Sequence, residues 1–189
     1  MASKRCPVNG LAEAVGETLF YLLPALVANA SPVLVGSGHP VDMGRTLGGK
    51  RIFGDGKTFE GFLLGFAAGL FVAAFEATFW VPRTLLFVGA ELSAGALLGD
   101  LAGAFVKRRL QLARGAPAPL LDQLDFLLGA YLLAGAINSL HYGELRVFAN
   151  ALPAQTQFTI VLTSLYLIPL LHLATNAGAF KLRLKPNPW

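Results

Sequence analysis

Asp100, Asp122 and Asp125 are the acidic residues whose spacing could gather charge at one place. Asp100 shares a helical face with Gly103, Ala104 and Lys107 through i, i+3, i+4, i+7 spacing. Asp122 and Asp125, three residues apart, share the face of another helical turn. Either of this second pair alone would be explained as the partner of a helix N-terminus. All three at one level would suit a hard divalent cation, and Mg²⁺ takes a few carboxylates together with phosphate oxygens and water. The run Lys107, Arg108, Arg109 follows Asp100 closely and offers cations to phosphates. Carboxylates for a metal beside cations for phosphates are the parts of a nucleotidyl-transfer site.

A second stretch, "RIFGDGKTFEG" at residues 51 to 61, carries a Gly-Lys-Thr. It is not a P-loop, because counting back from Gly56 puts Arg51 where the first glycine of G-x-x-x-x-G-K-[ST] belongs. The physical content survives. Gly54 and Gly56 permit a tight turn, Lys57 is a point charge, and Thr58 can cap the helix that follows, whose free N–H groups attract anions. A solvated loop whose basic residues merely set membrane topology is the competing explanation.

The elements that must position these residues are membrane helices. Of 189 residues, 54% are hydrophobic and 14% charged, against roughly 25% charged for a soluble domain. Five apolar segments approach the ~20 residues needed to cross the hydrocarbon core. They are expected at about Leu11–Leu34, Phe59–Trp80, Thr84–Val106, Leu124–Leu140 and Phe158–Phe180, with a kink at Pro24. The fold expected is therefore all-α and polytopic, a single domain over residues 1–189. Asp100 then falls roughly 10 Å below a helix end, where a carboxylate demands a cavity, a partner or a metal. The lone Cys6 excludes an internal disulfide.

Eleven of the fifteen Lys and Arg fall in the loops after spans one and three and in the C-terminal tail, among them Lys57, Lys107 and Lys181. Lys4, Arg5, Arg83 and Arg146 fall on the opposite side. The bias puts the N-terminus outside, the C-terminus inside and both polar loops in the cytoplasm. The net charge of +4 is thereby read as topology, with no nucleic-acid partner. Lys4, Arg5 and the A-x-A of Ala28 and Ala30 resemble a cleavable signal, but the first span is expected to stay. Gly61, Gly65 and Gly69, like Gly95, Gly99 and Gly103, repeat every four residues, as close helix contacts require. His39, His141 and His172 form no pair with metal-ligand spacing. Glu76 and Glu91 fall toward the outer half, and an interhelical hydrogen bond is expected of Glu91. Intramembrane carboxylates also mark ion pathways, so a small ion or metabolite transporter is the rival, and a structural membrane subunit a third reading.

Three stretches carry a resemblance. "GDLAGAFVKRR" followed by a Pro-containing loop and "DQLDF" resembles the signature of the CTP-dependent phosphatidate cytidylyltransferases. With "ANASPVLVGSGHPVDMG" and "GKRIFGDGKTFEG" in a five-span chain, it is similar to their archaeal branch, the CDP-archaeol synthases. Ala104 departs from a common Ser, and "GAPAPLLDQ" replaces the bacterial His-Gly-Gly, which points to the archaeal branch. The resemblance implies a membrane enzyme with CTP and an isoprenoid glyceryl ether phosphate as substrates and Mg²⁺ as cofactor. It implies metal ligation by Asp100, Asp122 and Asp125, with Lys107 catalytic. Nucleotide binding would fall to Gly54, Asp55, Gly56, Lys57, Thr58, Asn29 and Ser31. Lipid phosphate would fall to Arg51, Lys107, Arg108 and Arg109.

Overall fold

A computed structural model of the chain describes residues 10–79, 84–112, 118, 120–143, 146–149 and 151–181. Lys4, Arg5, Cys6, Trp80, Arg83, Arg114, Arg183 and Lys185, on which several expectations rest, lie outside the described residues. Five helices are long and apolar enough to cross a membrane. They are α1 (Leu11–Ala30), α2 (Phe59–Phe79), α3 (Thr84–Arg109), α4 (Leu121–Tyr142) and α5 (Ala154–Lys181). The all-α, five-span expectation stands, with three differences at the ends.

The first helix continues through Pro24 to Ala30 and then tightens into a 3-10 turn, Ser31–Val35, opened by Pro32. The third and fourth helices each gain about a turn toward the polar loops, so Asp122 lies inside α4 and Lys107 inside α3. The fifth begins four residues earlier than expected. These extensions carry charged or polar residues beyond the hydrocarbon, which hydropathy does not register.

α3 is the central helix. It packs on α1, α2 and α4, while α5 lies against α1 and α4. Half of the apolar stretch of α3 is buried inside the protein, against a third or less for each of the other helices. Leu22, Leu92, Leu127 and Ile160 from four helices meet in a core closed by Phe148 from the α4–α5 connection. Leu63, Phe71, Leu132 and Tyr166 point outward, where lipid is the solvent.

Glycine sets how closely these helices approach. A Cβ on Gly129 would overlap the Gly95 carbonyl and the Gly99 backbone, and one on Gly65 would lie 2.6 Å from the Ala28 carbonyl oxygen. The two glycine stripes read from the sequence thus mark the α3–α4 and α1–α2 crossings. Gly103 differs from the rest, because its missing Cβ leaves room for the Asp125 carboxylate.

The α1–α2 connection contains a small hairpin that hydropathy does not reveal. β1 (Thr46–Leu47) pairs antiparallel with β2 (Lys50–Arg51), Thr46 opposite Arg51. Gly48 and Gly49 between them have φ of +59° and +74°, as a two-residue type I′ turn requires.

Candidate active site

The helices bring the two polar loops to one end of the bundle. Lys57, from the loop before α2, places its ammonium 2.5 and 2.6 Å from the two carboxylate oxygens of Asp100 on α3. Lys107 on α3 reaches Asp122 on α4 at 2.5 Å, and the other Asp122 oxygen accepts the Ala118 N–H at 2.9 Å. Asp125 sits one turn deeper on α4, over Gly103, with one oxygen on the Phe126 N–H at 2.7 Å. It lies within the electric field of Asp100, Lys57 and Lys107. Three carboxylates and two lysines therefore alternate across the α2 loop, α3 and α4. All are partly buried, so each charge is left with little water to share it.

The glycine loop is held from beneath by a residue that sequence reasoning missed. Asp42 is buried, and its carboxylate accepts the N–H groups of Gly44 (3.1 Å), Phe53 (3.0 Å) and Gly54 (2.9 Å). Arg51 adds two bonds to the same carboxylate, at 3.2 and 2.5 Å. The Arg51 guanidinium foremost, then the three backbone donors, holds the Asp42 carboxyl well below the usual carboxylate range. Asp42 in return raises the Arg51 pKa. A sequence signal for this hub existed in the Gly-Gly turn, whose hairpin folds Arg51 back toward the Asp42 segment.

Two of the residues expected to bind lipid phosphate have partners inside the protein. Arg51 was expected to bind lipid phosphate, but its guanidinium is committed to Asp42 and, at 2.6 Å, to the exposed Asp55. Arg109 was expected to do the same, yet it donates to the carbonyls of Leu47, Lys50 and Arg51 and lies over the Phe105 ring at 5.2 Å. It clamps the hairpin onto the end of α3. A planar fork of donors suits this task, which a lysine would do poorly. Arg108 stays beside the loop, its Cδ 3.7 Å from where a Cβ of Gly54 would be.

The remaining expected residues are placed as follows. Thr58 accepts the Gly61 N–H at 3.1 Å and caps α2. Gly56, Lys57 and Thr58 line a small cleft with Pro32, Phe62 and Asp100. Ser31 turns its hydroxyl back onto the Val27 carbonyl at 2.7 Å, away from the loop. Asn29 is half-buried on the last turn of α1. Among the described residues no three acidic, His or Cys side chains converge on one point, and Asp100 pairs with Lys57 while Asp122 pairs with Lys107. At the opposite end of the bundle, Glu91 accepts the Asn138 amide at 2.9 Å, the interhelical bond expected of it.

Comparison with known proteins places this geometry. The CarS-like profile, described as CDP-archaeol synthase, matches residues 11–189. A CDP-archaeol synthase of Aeropyrum pernix is 45% identical over 92% of this chain and 91% of its own length. That of Sulfolobus acidocaldarius is 43% identical, over 90% and 96%. A solved structure, described as an intramembrane enzyme for archaeal membrane lipid biosynthesis, superposes with a TM-score of 0.70 at 42% identity, covering 86% of this chain and 94% of that one. With similarity that runs through all five helices and both loops of the site, this chain belongs to the CDP-archaeol synthase family.

Proposed function

We propose that this chain transfers CMP from CTP to 2,3-di-O-geranylgeranylglyceryl phosphate, releasing pyrophosphate and giving unsaturated CDP-archaeol at the cytoplasmic face of the cell membrane. The observation that carries the reading is the Lys57–Asp100 pair, which brings the glycine loop against the α3–α4 carboxylates in a member of this family. Relatives named CDP-archaeol synthase do not favour transport.

In the reaction an oxygen of the lipid phosphate attacks the α-phosphorus of CTP. A new P–O bond forms, the bond to the β-phosphate breaks, and pyrophosphate leaves with the electron pair. The lipid phosphate has a second pKa near 6 and is already an anion at neutral pH, so the protein supplies no general base. Its work is to aim the reactants and neutralise charge. Lys57 exchanges Asp100 for the nucleotide phosphates as CTP arrives. Lys107 and Arg108 serve the phosphates from the α3 side.

That exchange frees Asp100 beside Asp125. Two carboxylates facing each other with the lysine withdrawn need a cation, and Mg²⁺ characteristically takes one or two carboxylates with phosphate oxygens and water. Asp100 and Asp125 fit such an ion arriving with the nucleotide, and when bound it would neutralise the triphosphate oxygens. Asp122, with both oxygens engaged, keeps Lys107 and the loop before α4 in place. Purified protein given labelled CTP, Mg²⁺ and the ether lipid phosphate should release pyrophosphate, and more slowly with an ester phosphatidate. Absence of release with both lipids would remove this reading.

A further inference from the structure

We propose that His39 and Glu60 are positioning residues for the nucleotide: their contact latches the neck of the loop from residue 39 to 60 and so fixes where Lys57 stands. The proposal rests on the reading that Lys57 engages CTP.

Everything assigned to the nucleotide on this loop lies between His39 and Glu60. At its neck two short stretches pair: the Phe59 N–H donates to the His39 carbonyl at 2.9 Å and the Val41 N–H to the Lys57 carbonyl at 2.8 Å, around the Pro40–Thr58 bridge. So short a pairing is marginal by itself in water. Glu60 reinforces it with both oxygens. One accepts the His39 backbone N–H at 2.8 Å, and the other meets the imidazole Nδ1 at 2.5 Å.

Three features mark the contact as more than a helix cap. Thr58 already takes the Gly61 N–H of α2, and the Glu60 carboxylate reaches beyond its own N–H to His39. Glu60 stands two residues after Thr58, whereas a capping box needs three. Gly38 leaves the space the carboxylate occupies, for a Cβ there would overlap the Glu60 carboxylate and come within 3.1 Å of Thr58 Cβ. The backbone of Lys57 is held by the neck, and its side chain alone then travels from Asp100 to phosphate.

The pair does little for stability. The His39 side chain is 88% exposed and that of Glu60 42%, and ion pairs in such positions contribute little. Its effect falls on geometry and on pH. Among the described residues Glu60 is the ionisable group acting on His39, and its carboxylate raises the His39 pKa above its ordinary 6.5. The latch is therefore complete between the carboxylate range, above which Glu60 is charged, and that ordinary value, and weakens as pH rises through the raised one.

The test is the pH dependence of kcat and of KM for CTP in the wild type and in His39→Ala, His39→Asn, Glu60→Ala and Lys57→Ala. His39→Ala and Glu60→Ala should each raise KM for CTP by about tenfold at neutral pH, an amount one well-placed hydrogen bond can supply, with kcat little changed. His39→Asn, which keeps a short donor for Glu60, should recover most of that loss. It should also lose the rise in KM expected of the wild type on the alkaline side. Substrate phosphates titrate in the same range, and both enzymes share them, so the difference between the two profiles isolates the imidazole. Wild-type KM and an unchanged pH profile in the His39 variants would overturn the latch, even if thermal stability fell. Should Lys57→Ala raise KM while the His39 and Glu60 variants do not, the latch alone fails. Should Lys57→Ala leave KM unchanged, the nucleotide reading of the loop fails and the latch with it.

Discussion

Asp100 and Asp125 illustrate how one residue's chemistry depends on which neighbour is present. Asp100 is neutralised by Lys57. On the proposed function, Lys57 drawn to phosphate would leave Asp100 near Asp125 and in demand of a cation. Asp100→Asn and Asp125→Asn keep side-chain size and remove charge, so each should lower kcat by at least about a hundredfold while the detergent-solubilised fold survives. The double variant should be little worse than the poorer single one, because residues serving one centre are strongly non-additive. Modest, additive losses would return both to the role of buried ion-pair partners. Asp42 makes the contrast, since it touches no proposed substrate. Asp42→Ala leaves the Phe53 and Gly54 amides without their acceptor and Arg51 with Asp55 alone, a loss of about 2 to 3 kcal/mol because Arg51 keeps Asp55 and some water. Hydrogen exchange should show those two amides losing protection while α3 and α4 stay protected. The sign with pH follows from its lowered pKa: the contribution is full above the ordinary carboxylate range and is lost as pH falls below it. Loop protection should decline in acid before the helices do.

At the level of elements, glycine decides how close α3 and α4 come, and Gly103 leaves the space that the Asp125 carboxylate occupies. Gly129→Ala would drive a methyl into the Gly95 and Gly99 backbone, where no side chain can swing aside. Overpacking of this kind costs about 1 to 3 kcal/mol, and the thermal midpoint in detergent should fall accordingly. Gly16→Ala on α1, with nothing within 4 Å, is the control and should be neutral or stabilising. Equal stability of the two variants would remove the close-contact account. The helices and their glycine stripes were legible in the sequence because hydropathy and four-residue spacing act over many residues. So were Lys57, Lys107 and the three aspartates, as charges at odds with a lipid solvent. The reassignments of Arg51 and Arg109 were not legible, because they depend on a two-residue turn at Gly48 and Gly49 that brings carbonyls and the Asp42 carboxylate to guanidiniums distant in sequence. Charge type reveals a cation. It does not reveal whether a partner inside the protein has already taken it.

At the level of the whole molecule, five crossings put the two termini on opposite sides of the membrane, and the Lys57–Asp100 and Arg109–Leu47 contacts put the α1–α2 and α3–α4 connections at the same end. That end carries Lys50, Arg51, Lys57, Lys107, Arg108 and Arg109. Positively charged loops are retained in the cytoplasm, which is also where CTP is made available, so charge bias and substrate supply agree on one orientation. We propose on that agreement that the N-terminus is outside and the C-terminus inside. In a Cys6→Ser background, a cysteine at position Gly115 in the α3–α4 connection should resist an impermeant thiol reagent in intact cells and react once the membrane is opened. A cysteine at Pro82, in the connection between α2 and α3, should react in intact cells. Both variants keep the residues assigned to the site, so turnover of CTP in membrane preparations reports whether each is folded when it is labelled. Labelling of the Gly115 position and protection of the Pro82 position in active protein would place the carboxylates and lysines outside the cell, and a cytosolic nucleotide could not be their substrate.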